Sequence, residues 1–129
     1  MDIRDIVDNK EPIARFIRVS DWIRKKDNTI TSQGWEPYQD NETSVLRIQG
    51  LSEPKIWELE QIITKKKHGR VDIIAEEVFN IRLKVVPDPN YEMNIPNHAC
   101  VRDWPENVNE RMAKADLLAA ASSKVKTAP

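Results

Sequence analysis

The pattern of apolar and polar positions predicts one long helix, with shorter pieces on either side. Ile56, Leu59, Ile62 and Ile63 recur at helical spacing and span one face of roughly 120°. Ser52 stands where an N-cap hydroxyl accepts a first-turn amide proton. Glu53 complements the positive end of the helix dipole, and Pro54 falls in the first turn, where its missing N–H costs nothing. Lys65, Lys66 and Lys67 crowd the other end, and Gly69 predicts a left-handed stop. Trp57 lies off the apolar stripe, either covering the helix edge or anchoring a partner.

Before this helix the pattern is that of strands and turns. Ile13 to Val19 is β-branched and aromatic, with Arg15, Ile17 and Val19 on one face. Asp21 to Lys26 fits a helical turn or a strand end. Residues 27–42 are rich in turn formers, with a short strand at Thr29–Thr31. Thr43 to Gln49 predicts a further strand. After the helix, Asp72 predicts the cap of a short helix over DIIAEEVF, and Asn80 its left-handed stop. Ile81 to Val86 alternates as a half-exposed strand. Pro87, Pro89 and Pro96 predict an irregular connection. His98 to Arg102 predicts a last strand. Asn107 and Glu110 form a capping pair for a C-terminal helix, with an apolar stripe of Val108, Met112, Ala115 and Ala119.

Strands and helices do not alternate strictly, which predicts an α+β domain. Its small mixed or antiparallel sheet should be covered on one face by two main helices plus one short helix. Ile56, Leu59, Ile63, Leu83, Val85 and Met112 are expected in a single core. The length of 129 residues fits one domain, 1–129, with residues 1–11 and 123–129 expected to be loosely ordered.

Composition narrows the function classes. With 32% charged and 40% apolar residues, the chain reads as globular, and no apolar run approaches the roughly 20 residues that span a bilayer. No membrane partner is therefore expected. The start, MDIRDIVDNKEP, lacks the basic-then-apolar pattern of a secretory signal. One cysteine cannot form an internal disulfide, which fits a reducing cytoplasm. A net charge of −1 gives no global field toward nucleic acid, so such binding would need local patches.

Candidate chemistry is sparse. His98 and Cys100 lie two apart, which on a strand puts both on one face, and a Cys–His pair can make a thiolate nucleophile. No neighbouring residue in sequence marks an orienting third group, and a buried inert thiol is the plainer reading. One cysteine and two histidines leave too few preferred ligands for zinc, and no glycine-rich loop marks a phosphate site. No metal or cofactor is expected.

Two basic clusters bear on nucleic acid. One is Arg15, Arg18, Arg24, Lys25 and Lys26, with Trp22 among them; the other is Lys65, Lys66, Lys67, His68 and Arg70. Basic residues interleaved with aromatics suit single-stranded nucleic acid. Lysines also complement a helix C-terminus, and arginines solvate an exposed strand face. Trp35 and Tyr38, in a long turn-rich loop, either fold onto the core or face a partner.

The run ETSVLRIQGLSEPKIWEL (Glu42 to Leu59), with VVPDP (Val85 to Pro89) and HACVRDWP (His98 to Pro105), resembles a pattern in small uncharacterised bacterial single-domain proteins. No activity attaches to that pattern, so no functional residue carries over. The reading that follows is a non-enzymatic binding or accessory protein acting through protein contacts. Its expected partner surface is Trp35 and Tyr38, with Trp57 or Trp22 at the margin. The alternatives are a nucleic-acid-binding module using the two basic clusters and an enzyme centred on His98 and Cys100.

Overall fold

Alternate residues of two inner strands, Pro12–Phe16 and Thr43–Arg47, feed two different apolar layers, and this organises the molecule. The computed structural model describes residues 6–129. The main sheet consists of β1 (Pro12–Phe16), β4 (Thr43–Arg47), β5 (Arg70–Ile74), β6 (Lys84–Pro87) and β7 (His98–Arg102). β2 (Ile23–Arg24) and β3 (Thr29–Ile30) form a separate hairpin. The main order is β5-β1-β4-β7-β6, with every pairing antiparallel. Helices α1 (Glu53–Thr64), α2 (Ala75–Asn80) and α3 (Val108–Ala121) complete the α+β architecture. Among the described residues, no helix is long and apolar enough to cross a membrane.

The strand register sorts the side chains. Ala14 lies opposite Leu46, and Ile13 opposite Ile73. Paired residues share a face, and successive residues alternate. On one face Ala14, Phe16, Leu46 and Ile48 meet Ile56 and Leu59 of α1, together with Ile95. On the other, Ile13, Ile17, Val45, Val71 and Val101 meet Trp35, Ala75 and Val78 of α2, and Ala115 and Leu118 of α3. Helices therefore cover both faces, not one, because α1 and α3 dock on opposite sides.

The expected single core is thus two layers. Ile56 and Leu59 belong to the α1 layer, while Leu83 and Val85 belong to the α3 layer. Ile63 only flanks its layer, Ile62 faces solvent, and Met112 is 44% exposed. Of the expected α3 stripe, Ala115 is buried and Ala119 packs against the layer, but Val108 and Met112 are exposed and Leu118 is buried in their stead.

Both long helices start where the sequence says. The Ser52 hydroxyl accepts the Lys55 N–H at 3.3 Å, and the Asn107 side chain accepts that of Glu110 at 3.0 Å. The end of α1 differs: Lys65, not Gly69, takes the left-handed conformation, with φ 56°. Gly69 serves the next turn, at φ 111°, where a Cβ would run into the backbone oxygen of Lys126.

Asp72 does not cap a helix. It sits inside β5, because Arg70–Ile74 pairs along its whole length with β1, and that ladder outweighs local helical spacing. Asn80 ends α2 without turning left-handed; Arg82 takes the positive φ, at 64°, and the following strand begins only at Lys84.

The C-terminal segment is tied down rather than loose. Arg70 and Lys126 exchange backbone hydrogen bonds of 2.9 and 2.8 Å, Ser123 N–H donates to Asp72 O at 2.8 Å, and Val125 is buried. These contacts cover the free edge of β5, which would otherwise offer unpaired backbone groups. Residues 1–5 lie outside the described chain, but Val7 and Glu11 are buried. The Glu11 carboxylate accepts from Arg47 Nε at 2.6 Å and from Nη2 at 3.0 Å, with both side chains buried. Burial of the pair is tolerated because the bidentate geometry satisfies both carboxylate oxygens.

Candidate functional site

The α1 helix covers only part of its sheet face. Its apolar contacts reach Leu46 and Ile48, and Ile63 marks their limit beside Ser44 and His98. Beyond that limit the same face turns polar. Ser44 of β4 lies opposite Cys100 of β7, and Leu46 opposite His98, so Ser44, His98 and Cys100 share this side. The β6–β7 ladder continues into a hydrogen bond from Asp88 N–H to His98 O at 2.9 Å, which brings Asp88 alongside.

These side chains form a connected set. His98 Nε2 is 3.0 Å from Ser44 Oγ. His98 Nδ1 is 2.9 Å from the Asp88 backbone oxygen and 3.4 Å from its Oδ2. The Cys100 thiol donates to Asp88 Oδ2 at 3.3 Å. One donor atom each from Asp88, His98 and Cys100 lies within 4.8 Å of the others. At the margin, Arg102 Nε lies 2.9 Å from Glu42 Oε1. Beside His98 opens a shallow cleft of about 350 Å³ lined by Asp88, Pro89, Asn90, Tyr91, Glu92 and His98.

The expected pairing of His98 and Cys100 on one face is present, but the thiol is not poised as a nucleophile. Burial, then the carboxylates of Glu42 and Asp88, push its pKa well above the ordinary thiol value. Ser44, His98 and Asp88 repeat the order of a serine–histidine–carboxylate relay. Two features weigh against hydrolysis. Ser44 lies mid-strand, not on the strained strand-to-helix turn of a nucleophile elbow. The cavity that Ser44 lines measures only about 10 Å³, too small for an acyl group.

The connection between β6 and β7 is more regular than its prolines suggest. Asn90 and Ile95 exchange backbone hydrogen bonds of 2.9 and 2.8 Å, closing a tip between them. Asn90 Oδ1 accepts the Met93 N–H at 3.1 Å, and Asn94 adopts φ 57°. Ile95 anchors this tip in the α1 layer, while Tyr91 and Met93 are 65% and 45% exposed.

The loop aromatics fall elsewhere. Trp35 is fully buried in the α3 layer, and its indole N–H donates to Ser122 Oγ at 2.9 Å. It cannot be a partner anchor. Tyr38 remains 51% exposed, with the Arg15 guanidinium 6.0 Å from its ring. Trp22 packs at the edge of the α3 layer with Arg15 5.0 Å from its ring centre. Trp57 covers the α1 edge and stacks on Arg70 at 4.7 Å.

The strand pairing of Phe16 with Arg70 sets Arg15 and Arg18 near the second basic cluster, but the exposed lysines of the two clusters lie apart. Arg15 is buried, donating to Gly34 O at 2.7 Å and Ser44 O at 2.9 Å, so it does not solvate a strand face. Burial lowers its pKa to about 10, which leaves it charged at neutral pH. Arg70 is buried against Glu53 and Asp72. Arg18 is half-buried. Arg24, Lys25 and Lys26 are exposed at the β2–β3 hairpin, which packs on the α3 side. Lys65, Lys66 and Lys67 are exposed at the end of α1, on the other side.

Ser44, Asp88, Tyr91 and Met93 carry no sequence signal of their own. The one hint is the hairpin between two strands, which sets Asp88 across from His98. No family model, curated protein or solved structure matches this chain.

Proposed function

We propose that the protein is a non-enzymatic binding module of a bacterial cytoplasm, and that it engages a partner protein through the Asn90–Ile95 tip and the polar face around His98. The observation that carries this is the hydrogen-bonded tip. Ile95 locks it into the core, while Tyr91 stands out at the His98 cleft and Met93 is exposed on the same tip. A rigid element that exposes an aromatic and a methionine loses little entropy on docking, and both residue types are enriched in interfaces. Glu92 and Asp88 line the same cleft, so the partner suited to it offers an apolar pocket for Tyr91 next to a lysine or arginine. A single buried thiol is at home in a reducing compartment.

The test is capture from nuclease-treated lysate of the native host, comparing the wild type with the double variant Tyr91→Ala, Met93→Ala. The reading expects one stoichiometric protein to be retained by the wild type and lost by a variant with unchanged melting. Equal capture by both would place the interface elsewhere. Capture that disappears only on nuclease treatment would favour nucleic acid.

A further inference from the structure

We propose that Asp88, His98 and Cys100 form a zinc site. The site shares Asp88 and His98 with the cleft of the partner reading but does not rest on that reading, because its ligands all come from this chain and its test reads metal binding alone. Their donor atoms are already spaced for one ion: Asp88 Oδ2 lies 3.4 Å from His98 Nδ1 and 3.3 Å from Cys100 Sγ, and all three fall within 4.8 Å. A tetrahedral zinc with bonds of about 2.0–2.3 Å sets its ligands roughly 3.3–3.8 Å apart. The two measured edges fall in this range.

The scaffold holds the ligands firmly. His98 and Cys100 are alternate residues of β7, and Asp88 is fixed to His98 by the hydrogen bond that ends the β6–β7 ladder. On the far side of the imidazole, Ser44 Oγ lies 3.0 Å from Nε2. Nδ1 itself lies 2.9 Å from the Asp88 backbone oxygen, which can only accept, so metal binding exchanges that Nδ1–H bond for one from Nε2–H to the Ser44 hydroxyl, which then orients the ring as the outer partners of metal-bound histidines do. On binding, the imidazole proton resides on Nε2 and the thiol proton leaves to solvent, so one proton is released per ion. Three protein ligands of sulfur, nitrogen and oxygen type suit zinc rather than calcium or magnesium. The cleft lined by Asp88 and His98 gives an ion a way in to two of the three ligands.

The experiment titrates the full chain with Co²⁺ alone, then displaces it with Zn²⁺. One equivalent of Co²⁺ should give a thiolate-to-cobalt charge-transfer band and the intense visible bands of four-coordinate cobalt, both removed by Zn²⁺. Cys100→Ser should abolish the charge-transfer band, and Asp88→Asn and His98→Gln should each weaken binding at least tenfold. Ser44→Ala should weaken it by about 10–100-fold. Asp88 is partly exposed, so Asp88→Asn keeps the test valid should the Cys100 variant not fold. Absence of the charge-transfer band in the wild type would overturn the site, as would unchanged affinity in folded Asp88→Asn or His98→Gln protein.

Discussion

The two faces of the sheet are made from neighbouring residues of the same strands, yet they are finished differently. On the α3 side, apolar residues from all the main strands, α2, α3 and the Trp35 turn close into a continuous layer. On the α1 side, a twelve-residue helix covers Ala14, Leu46 and Ile48 and stops. The strand positions beyond it are Ser44, His98 and Cys100, with Asp88 beside them. The face that α1 leaves uncovered is where the strands have exchanged apolar for polar side chains. The closed layer is read as scaffold, and the open half as the working surface.

The largest effect should come from opening the closed layer. Trp35→Ala removes a fully buried ring and leaves the Ser122 hydroxyl without its indole donor. Urea denaturation should show a loss of about 3–5 kcal/mol, as for other aromatic-to-alanine core changes. A loss below about 1 kcal/mol would mean that the Trp35 loop is not part of the scaffold. Leu59→Ala, on the half-covered side, should cost about 2–3 kcal/mol, the lower part of the range for buried leucines, since a helix at the layer's edge can settle inward. A larger loss than that of Trp35→Ala would reverse the ranking of the two layers.

A third effect differs in sign and depends on pH. Glu60 is buried at the end of the α1 layer and accepts the Gly69 N–H at 3.0 Å. Burial outweighs that hydrogen bond and the nearby positive charges, so its pKa is raised. A carboxyl with a raised folded pKa contributes stability below its unfolded pKa, about 4.3, and loses it as pH rises through the folded value. Asp72 behaves oppositely. Burial would raise it, but hydrogen bonds from Arg70 and Lys126 prevail, and its pKa is lowered. Its contribution is present above the unfolded pKa, about 3.9, and fades as pH falls through the folded one. Glu60→Gln keeps an acceptor for Gly69 and should gain melting temperature over the wild type as pH rises from 4 toward 7 (roughly the window set by the carboxyl reference value). A gain that shrinks with pH would contradict the assigned cause.

The smallest effect separates surface from scaffold. Met112→Ala on α3 should change stability by no more than about 0.5 kcal/mol, since its side chain is largely solvent-exposed. A cost above about 2 kcal/mol would restore Met112 to the core, where its helical spacing had placed it.

The sequence made some of this legible and hid the rest for physical reasons. Caps are local, and Ser52 and Asn107 were readable because a hydroxyl or amide and the third amide onward suffice to define them. The same-face relation of His98 and Cys100 was readable because strand periodicity alone dictates it. Asp72 was misread because its neighbours have helical spacing, while the deciding partner, Ala14, lies far back in the chain. The burial of Arg15 and Arg47 was hidden because arginines in a strand look solvated until their acceptors are known, and these are Gly34, Ser44 and Glu11. The site was half visible for the same reason. Asp88 reaches His98 through a hairpin of ten residues and Ser44 reaches it across 54, and spacing within one strand reports neither.

The most direct measurement is crosslinking in cells that natively make the protein. A photoreactive phenylalanine analogue is placed at Tyr91 in one chain and at Leu117, exposed on α3, in another. The account predicts one discrete, nuclease-resistant protein adduct from position 91 and none from position 117. An adduct confined to position 117, or none at position 91 while the tagged wild type still retains a partner, would contradict it.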